Sequence, residues 1–210
     1  MKVTAIVPAY NEESRIEKVI IPALKTDMLS NIIVVDDGSE DLTSKVVSKY
    51  DVDLIKLSKN IGKTGAVKEG IRYCKEHSDI IVLLDADLIG LTPSHIKELI
   101  LPVVEEDIDM TIGIFKSGRY ITDLAQTIAP NLSGQRAIKT SIANEILDLE
   151  ISGYAIEVAL SKLTKDNNLK VKNVIWRNVS HRTKEEKIGL AKGVIWRIKM
   201  YKDIIKYWMH

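Results

Sequence analysis

Carboxylate pairs are the residues of this chain best suited to chemistry, and Asp-x-Asp occurs three times, at Asp51/Asp53, Asp85/Asp87 and Asp107/Asp109. Two neighbouring carboxylates repel each other unless something positive sits between them. A hard divalent ion such as Mg²⁺ or Mn²⁺, itself bridging a diphosphate, meets that need. Three copies make the motif weak alone, so its setting has to choose among them. Only Asp85-Ala86-Asp87 directly follows an apolar run of strand length, Ile80 to Leu84. Such a strand delivers both carboxylates to the crevice where open parallel sheets bind ligands. The other two pairs are expected to be solvated turns beside strands.

A second group could hold phosphate. Lys59-Asn60-Ile61-Gly62-Lys63-Thr64-Gly65 sets two glycines and two lysines ahead of a helical pattern, offering backbone N–H groups and a flexible cation. It is not a P-loop, which needs a glycine five positions before Gly62, where Leu57 stands. No Gly-x-Gly-x-x-Gly appears for a dinucleotide either.

The elements that would position these groups are legible in the hydrophobic pattern. Val3–Val7, Ile32–Val35, Val52–Leu57 and Ile80–Leu84 read as strands, each followed by a polar turn and a helix. That alternation predicts an α/β fold with a doubly wound, mostly parallel sheet covered by helices on both faces. Asn11 is expected to cap the first helix, whose inward face is Ile16, Val19, Ile20 and Ala23. Thr92 and Pro93 start another, with Ile96, Leu99 and Ile100 inward. The second half is less regular: strands at Met110–Phe115 and Val171–Val179, and helical patterns from Ile138 and from Tyr154.

Composition narrows the partners. At 210 residues one domain is the default, and 30 Lys plus Arg against 29 Asp plus Glu give a net charge of +1. No global field advertises a nucleic acid, so an anion must be met locally. The single Cys74, the absence of a leader pattern and the absence of a long apolar run point to a cytoplasmic protein.

Three motifs in order, Ile6-Val7-Pro8-Ala9-Tyr10-Asn11-Glu12, Val34-Val35-Asp36-Asp37-Gly38-Ser39 and Asp85-Ala86-Asp87, resemble the family-2 glycosyltransferases of GT-A fold over roughly residues 2–115. The resemblance implies a metal-dependent transfer of sugar from a nucleotide diphosphate donor, UDP- or GDP-linked. Pro8, Tyr10, Asn11, Glu12 and Asp37 would hold the nucleoside, Lys63 would sit near the diphosphate, Asp85 near the ribose or the metal's water, and Asp87 on the metal. Leu132-Ser133-Gly134-Gln135-Arg136-Ala137 and Gly153-Tyr154-Ala155-Ile156-Glu157 look like the acceptor loop and acidic segment of glucosyl-3-phosphoglycerate synthases. By that likeness Ser133, Gly134, Gln135 and Arg136 would meet the acceptor, an unidentified small phosphorylated or other hydroxyl compound, and His181 would complete the metal shell. Arg119 and Arg182 are further candidates for an anionic acceptor. Glu157 would act as a base, or hold the donor sugar or acceptor.

Residues 1–182 would form the transferase domain, divided into a donor half (1–115) and an acceptor half (116–182). Residues 183–210 place Ile188, Ala191, Ile195, Ile198, Tyr201, Ile205 and Trp208 on one helical face, with seven basic against three acidic residues. This basic amphipathic helix is expected to pack on the domain or pair two subunits, or to lie on the inner face of a membrane. Membrane contact would favour a polyprenyl-phosphate acceptor, as in the dolichyl-phosphate mannose synthases that the N-terminal half also resembles. From other classes, a nucleotidyltransferase would open with a Gly-rich loop where Pro8–Glu12 stands, and a relative without turnover would only bind nucleotide sugars.

Overall fold

The computed structural model describes residues 1–116, 133–148 and 155–181. Strand β1 (Val3–Ala9) shows how the sheet is built, because it is buried on both faces and alternate residues serve different layers. Val3, Ala5, Val7 and Ala9 enter one apolar cluster and Ile6 the other. In β2 (Asn31–Asp36) and β4 (Ile80–Leu83) Ile32, Val34, Ile80 and Val82 join the first cluster, and Ile33, Val35, Ile81 and Leu83 the second.

Helices α1 (Glu17–Leu24) and α4 (Pro93–Glu105) cover the first face, the latter capped by the Thr92 side chain. Ile16, Val19, Ile20, Ala23, Ile96, Leu99 and Ile100 are all fully buried, as their spacing predicts. Truncating one of these isoleucines or leucines to alanine would cost about 2–5 kcal/mol. The second face is covered by α3 (Lys63–Cys74), α5 (Thr140–Glu145) and α6 (Ala155–Asp166), through Ala66, Val67, Ile71, Ile142, Ile156 and Leu160. A short α2 (Thr43–Val47) precedes the edge strand β3 (Asp53–Lys56).

The remaining strands are β5 (Leu88–Ile89), β6 (Met110–Lys116), β7 (Arg136–Lys139), β8 (Val171–Arg177) and β9 (Ser180–His181). Seven strands run in the order β3-β2-β1-β4-β7-β6-β8, and β5 pairs with β9 in a separate ribbon. Every pairing in the large sheet is parallel except those of β7, which lies antiparallel between β4 and β6. The sheet therefore has the doubly wound, mostly parallel form expected.

Two local expectations are corrected. The helical pattern from Ile138 begins as strand β7, because Ala137 and Ile138 fill a gap in the sheet and the helix starts only at Thr140. Asn11 does not cap α1: its φ of 54° is left-handed, the helix begins at Glu17, and its side-chain Oδ1 accepts the Glu40 N–H at 2.9 Å instead. The helix expected over 183–210, Arg119 and Arg182 lie outside the described residues. Among the described residues no helix is long and apolar enough to cross a membrane.

Candidate active site

The carboxyl ends of β1, β2 and β4 share one edge of the sheet. Because β7 runs the other way, its incoming loop, Ser133 to Gln135, reaches that edge too, with Arg136 paired to Leu83 in register. Parallel topology alone would have left this loop at the far end. The rejected acidic pairs belong elsewhere: Asp53 opens β3 and accepts from Asn31 at 2.7 Å, while Asp107 and Asp109 precede β6. Lys139 lies 2.7 Å from Asp109 and Lys170 lies 2.7 Å from Asp107, and these hydrogen bonds hold both carboxyls below the usual range.

On the β1–β2 side most of the polar contacts involve backbone. Both Asp37 oxygens accept N–H groups of the Lys59–Gly65 loop, from Ile61 at 2.8 Å and Gly62 at 2.9 Å. Those two donors are thus spent on Asp37 and unavailable to phosphate. Burial raises the Asp37 pKa, opposed by these two bonds. Gly38 makes the approach feasible: its φ is +71° and a Cβ there would lie 2.6 Å from the Lys59 carbonyl carbon. Asp36 accepts the Ser39 N–H at 2.9 Å and the Ser44 hydroxyl. Asn11 donates its N–H to Ser39 Oγ at 3.0 Å, and Glu12 donates its own to Thr43 Oγ1 at 2.8 Å while its carboxylate pairs with Arg15. Pro8, inside β1, lines the cleft, and Tyr10 is exposed just beyond the strand.

On the β4–β7 side the central contacts are between side chains. Lys63, the first residue of α3, places its ammonium 2.6 Å from Asp85 Oδ1 and 2.7 Å from Glu157 Oε1, joining three elements distant in sequence. Burial alone would lower the Lys63 pKa, but the two carboxylates outweigh it and raise it above the ordinary lysine value. Glu157 stands in the first turn of α6, where the helix dipole also favours an anion. Gly134 leaves room for the cluster, since a Cβ there would lie 2.5 Å from Lys63 Nζ. The pocket beside these groups, lined also by Pro8, Val67 and Leu160, has a volume of about 10 Å³.

The Arg136 side chain is turned inward, away from the role of gripping an acceptor. It is fully buried, donating to the Ser133 carbonyl at 3.1 Å, to Met110 Sδ at 3.4 Å and to the Glu157 carbonyl at 3.4 Å. Burial lowers its pKa to about 10, opposed by the Glu157 charge, so it remains a cation that braces the loop to α6. Ser133 likewise bonds inward, to the Gly113 carbonyl at 2.5 Å.

Asp87 is half-buried between β4 and β5. The backbone of His181 pairs with that of Leu88, one residue beyond it. The ligand role expected of His181 concerns a side chain outside the described residues.

The model of the glycosyl transferase family 2 matches residues 4–168. The chain belongs to glycosyl transferase family 2. This glycosyltransferase is 31% identical over 196 residues to an uncharacterized protein of Methanocaldococcus jannaschii, covering 82% of this chain and 79% of that one. It is 34% identical over 128 residues to a dolichol-phosphate mannosyltransferase of Pyrococcus furiosus, covering 58% of this chain and only 34% of the relative. In structure it is similar to glucosyl-3-phosphoglycerate synthase of Mycobacterium tuberculosis in complex with Mn²⁺, UDP-glucose and phosphoglyceric acid. That likeness has a TM-score of 0.72 at 25% identity, over 86% of this chain and 71% of the other. The GT-A fold expected from the motifs is the one observed, and the nucleotidyltransferase alternative is set aside.

Proposed function

We propose that this glycosyltransferase moves a sugar from a nucleotide diphosphate to a small phosphorylated or other hydroxyl acceptor, aided by Mg²⁺ or Mn²⁺. The observation that carries the reading is the Lys63–Asp85–Glu157 cluster, set at the sheet edge where the donor motifs and the acceptor loop converge.

The donor set fits a hard divalent ion. Asp85 and Asp87 sit two residues apart at the end of a buried strand, and Mg²⁺ or Mn²⁺ is commonly held by one or two carboxylates with phosphate oxygens and water. Among the described residues no three ligating side chains gather. Asp87, His181, the diphosphate and water would supply the ligands. Bound there, the ion would supply positive charge to offset the negative charge of a departing diphosphate.

The chain's own groups do the rest. Lys63 stays protonated and adds a second cation beside the diphosphate. Asp37 and Asn11 fix the loops on which the nucleoside would lie. Glu157 Oε1 is turned to the Lys63 ammonium at 2.7 Å, so Glu157 is assigned to the donor sugar's hydroxyls rather than to general-base work. The acceptor would enter past Gly134, with Arg136 bracing the loop from below.

A polyprenyl phosphate at a membrane surface is a second acceptor reading, favoured by the Pyrococcus relative's name. The test is a thermal-shift screen of UDP, GDP and their sugar conjugates with and without Mn²⁺, since a ligand that binds only the native state raises the melting temperature. Metal-dependent stabilisation by one nucleotide sugar is expected, and no shift with any of them would overturn the reading. Transfer from that donor to 3-phosphoglycerate or to a polyprenyl phosphate in liposomes then separates the two acceptors.

A further inference from the structure

Gln135 is 1% exposed, too deep to meet an acceptor from solvent, yet it stands where the acceptor loop touches the donor motif. Its amide engages Asp85 at two points. Oε1 accepts the Asp85 backbone N–H at 2.9 Å, and Nε2 donates to Asp85 Oδ2 at 2.6 Å. The partners dictate which way the amide faces, because a backbone N–H only donates and a carboxylate only accepts. One planar group thereby fixes both the main chain and the carboxylate rotation of Asp85. Oδ1 is left to face Lys63 at 2.6 Å.

Gln135 is itself held. Its N–H donates to Ser133 Oγ at 3.3 Å and its carbonyl accepts the Gly113 N–H at 2.9 Å. A glutamate here would turn a like charge on Asp85, and an aliphatic residue would remove the side-chain oxygen that accepts the Asp85 N–H.

We propose that Gln135 is a positioning residue for the donor site: from the acceptor loop it sets the Asp85 carboxylate so that Lys63 is presented to the diphosphate. The inference rests on the donor reading above and assigns the loop's buried amide to the donor rather than to the acceptor. It makes Ser133–Gln135 part of the donor site's support, so disturbance of the loop is felt first as weaker donor use.

The test is a double-mutant cycle of Gln135→Met and Asp85→Ala, read as nucleotide-sugar affinity by calorimetry and as kcat and acceptor KM. Gln135→Met is expected to weaken donor affinity or kcat about tenfold with acceptor KM unchanged, and to add little once Asp85 is alanine. Equal losses in both backgrounds would overturn the proposal, as would an effect confined to acceptor KM. Gln135→Asn, which keeps a buried amide one methylene short, gives the same reading where the methionine variant fails to fold. Should the wild type bind no nucleotide sugar, the donor reading falls separately. The clamp is then judged by the same cycle in denaturant midpoints, where coupled losses support it and additive losses overturn it.

Discussion

Two stretches of the same sheet edge are held by different kinds of bond. After β1 and β2 the polar groups are spent mainly on backbone: Asp37 on Ile61 and Gly62, Asn11 on Glu40, Asp36 on Ser39. After β4 and before β7 the central contacts are ionic and between side chains, with Lys63 shared by Asp85 and Glu157. Backbone bonds fix a shape that a ligand can lean on. An ammonium between two carboxylates can change partners when a diphosphate arrives, without unfolding anything. We propose that the first stretch acts as a mould and the second as an exchangeable set of charges.

The largest test of that contrast is Asp87→Ala. The carboxylate is half-buried, and the loss should appear in turnover far more than in the melting temperature. Turnover should fall on the order of a thousandfold, the several kcal/mol that a well-placed metal supplies. Wild-type turnover in this variant would place the metal chemistry elsewhere.

Lys63→Met comes next, with an expected loss of about a hundredfold in kcat as Asp85 and Glu157 lose their common cation. The pH behaviour follows from the raised Lys63 pKa. A lysine whose folded pKa exceeds its unfolded value contributes its full stabilisation below the unfolded value and loses it only as pH rises through the folded one. The difference in stability between wild type and Lys63→Met should stay flat from about pH 7 to about pH 10. A gap that closes inside that window, read by thermal melts in matched buffers, would show that the two carboxylates do not hold the proton.

Asp37→Asn probes the mould. An amide nitrogen cannot accept, so the N–H of Ile61 or of Gly62 loses its bond to residue 37 and faces a group that only donates. The cost should be about 1–3 kcal/mol, which for a chain of this size lowers the melting temperature by roughly 2–4 °C per kcal/mol. Donor affinity should weaken along with stability, whereas Lys63→Met should spare affinity more than turnover. Matching patterns in the two variants would erase the distinction between the stretches.

The same contrast explains what the sequence showed. Strands buried on both faces announce themselves as apolar runs, so β1, β2 and β4 were plain, and the loops at their ends followed. Thr92 and Pro93 carried the start of α4 in two residues. Strand β7 was hidden because it is four residues long and opens with a buried arginine, which no hydrophobic pattern anticipates. The inward turn of Arg136 and the grip of Gln135 on Asp85 were hidden for the same reason: both depend on the reversed direction of β7. Asn11 was misplaced because its partner, the Glu40 N–H, is contributed by the next loop. A local cap rule sees only neighbours in sequence. The signal that was available lay in Ser133-Gly134-Gln135-Arg136 itself, where a glycine between polar side chains marks a backbone pressed close to something.

Gly134→Ala tests that closeness with the smallest change. The added methyl would stand 2.5 Å from Lys63 Nζ and 2.9 Å from Asp85 Oδ2. Lysine is the flexible partner, so its ammonium should give way, and the fold should lose no more than about 1 kcal/mol. Turnover should fall about tenfold, the price of an ammonium shifted by a fraction of a bond length from a charge it must meet. If the cluster is exchangeable, donor-saturated kcat should recover in part, because the diphosphate draws Lys63 to itself regardless of where it rests beforehand. If it is as rigid as the Asp37 mould, saturating donor should restore nothing. Steady-state kinetics of this one variant at several donor concentrations therefore decides whether the two stretches of the edge differ in kind or only in composition.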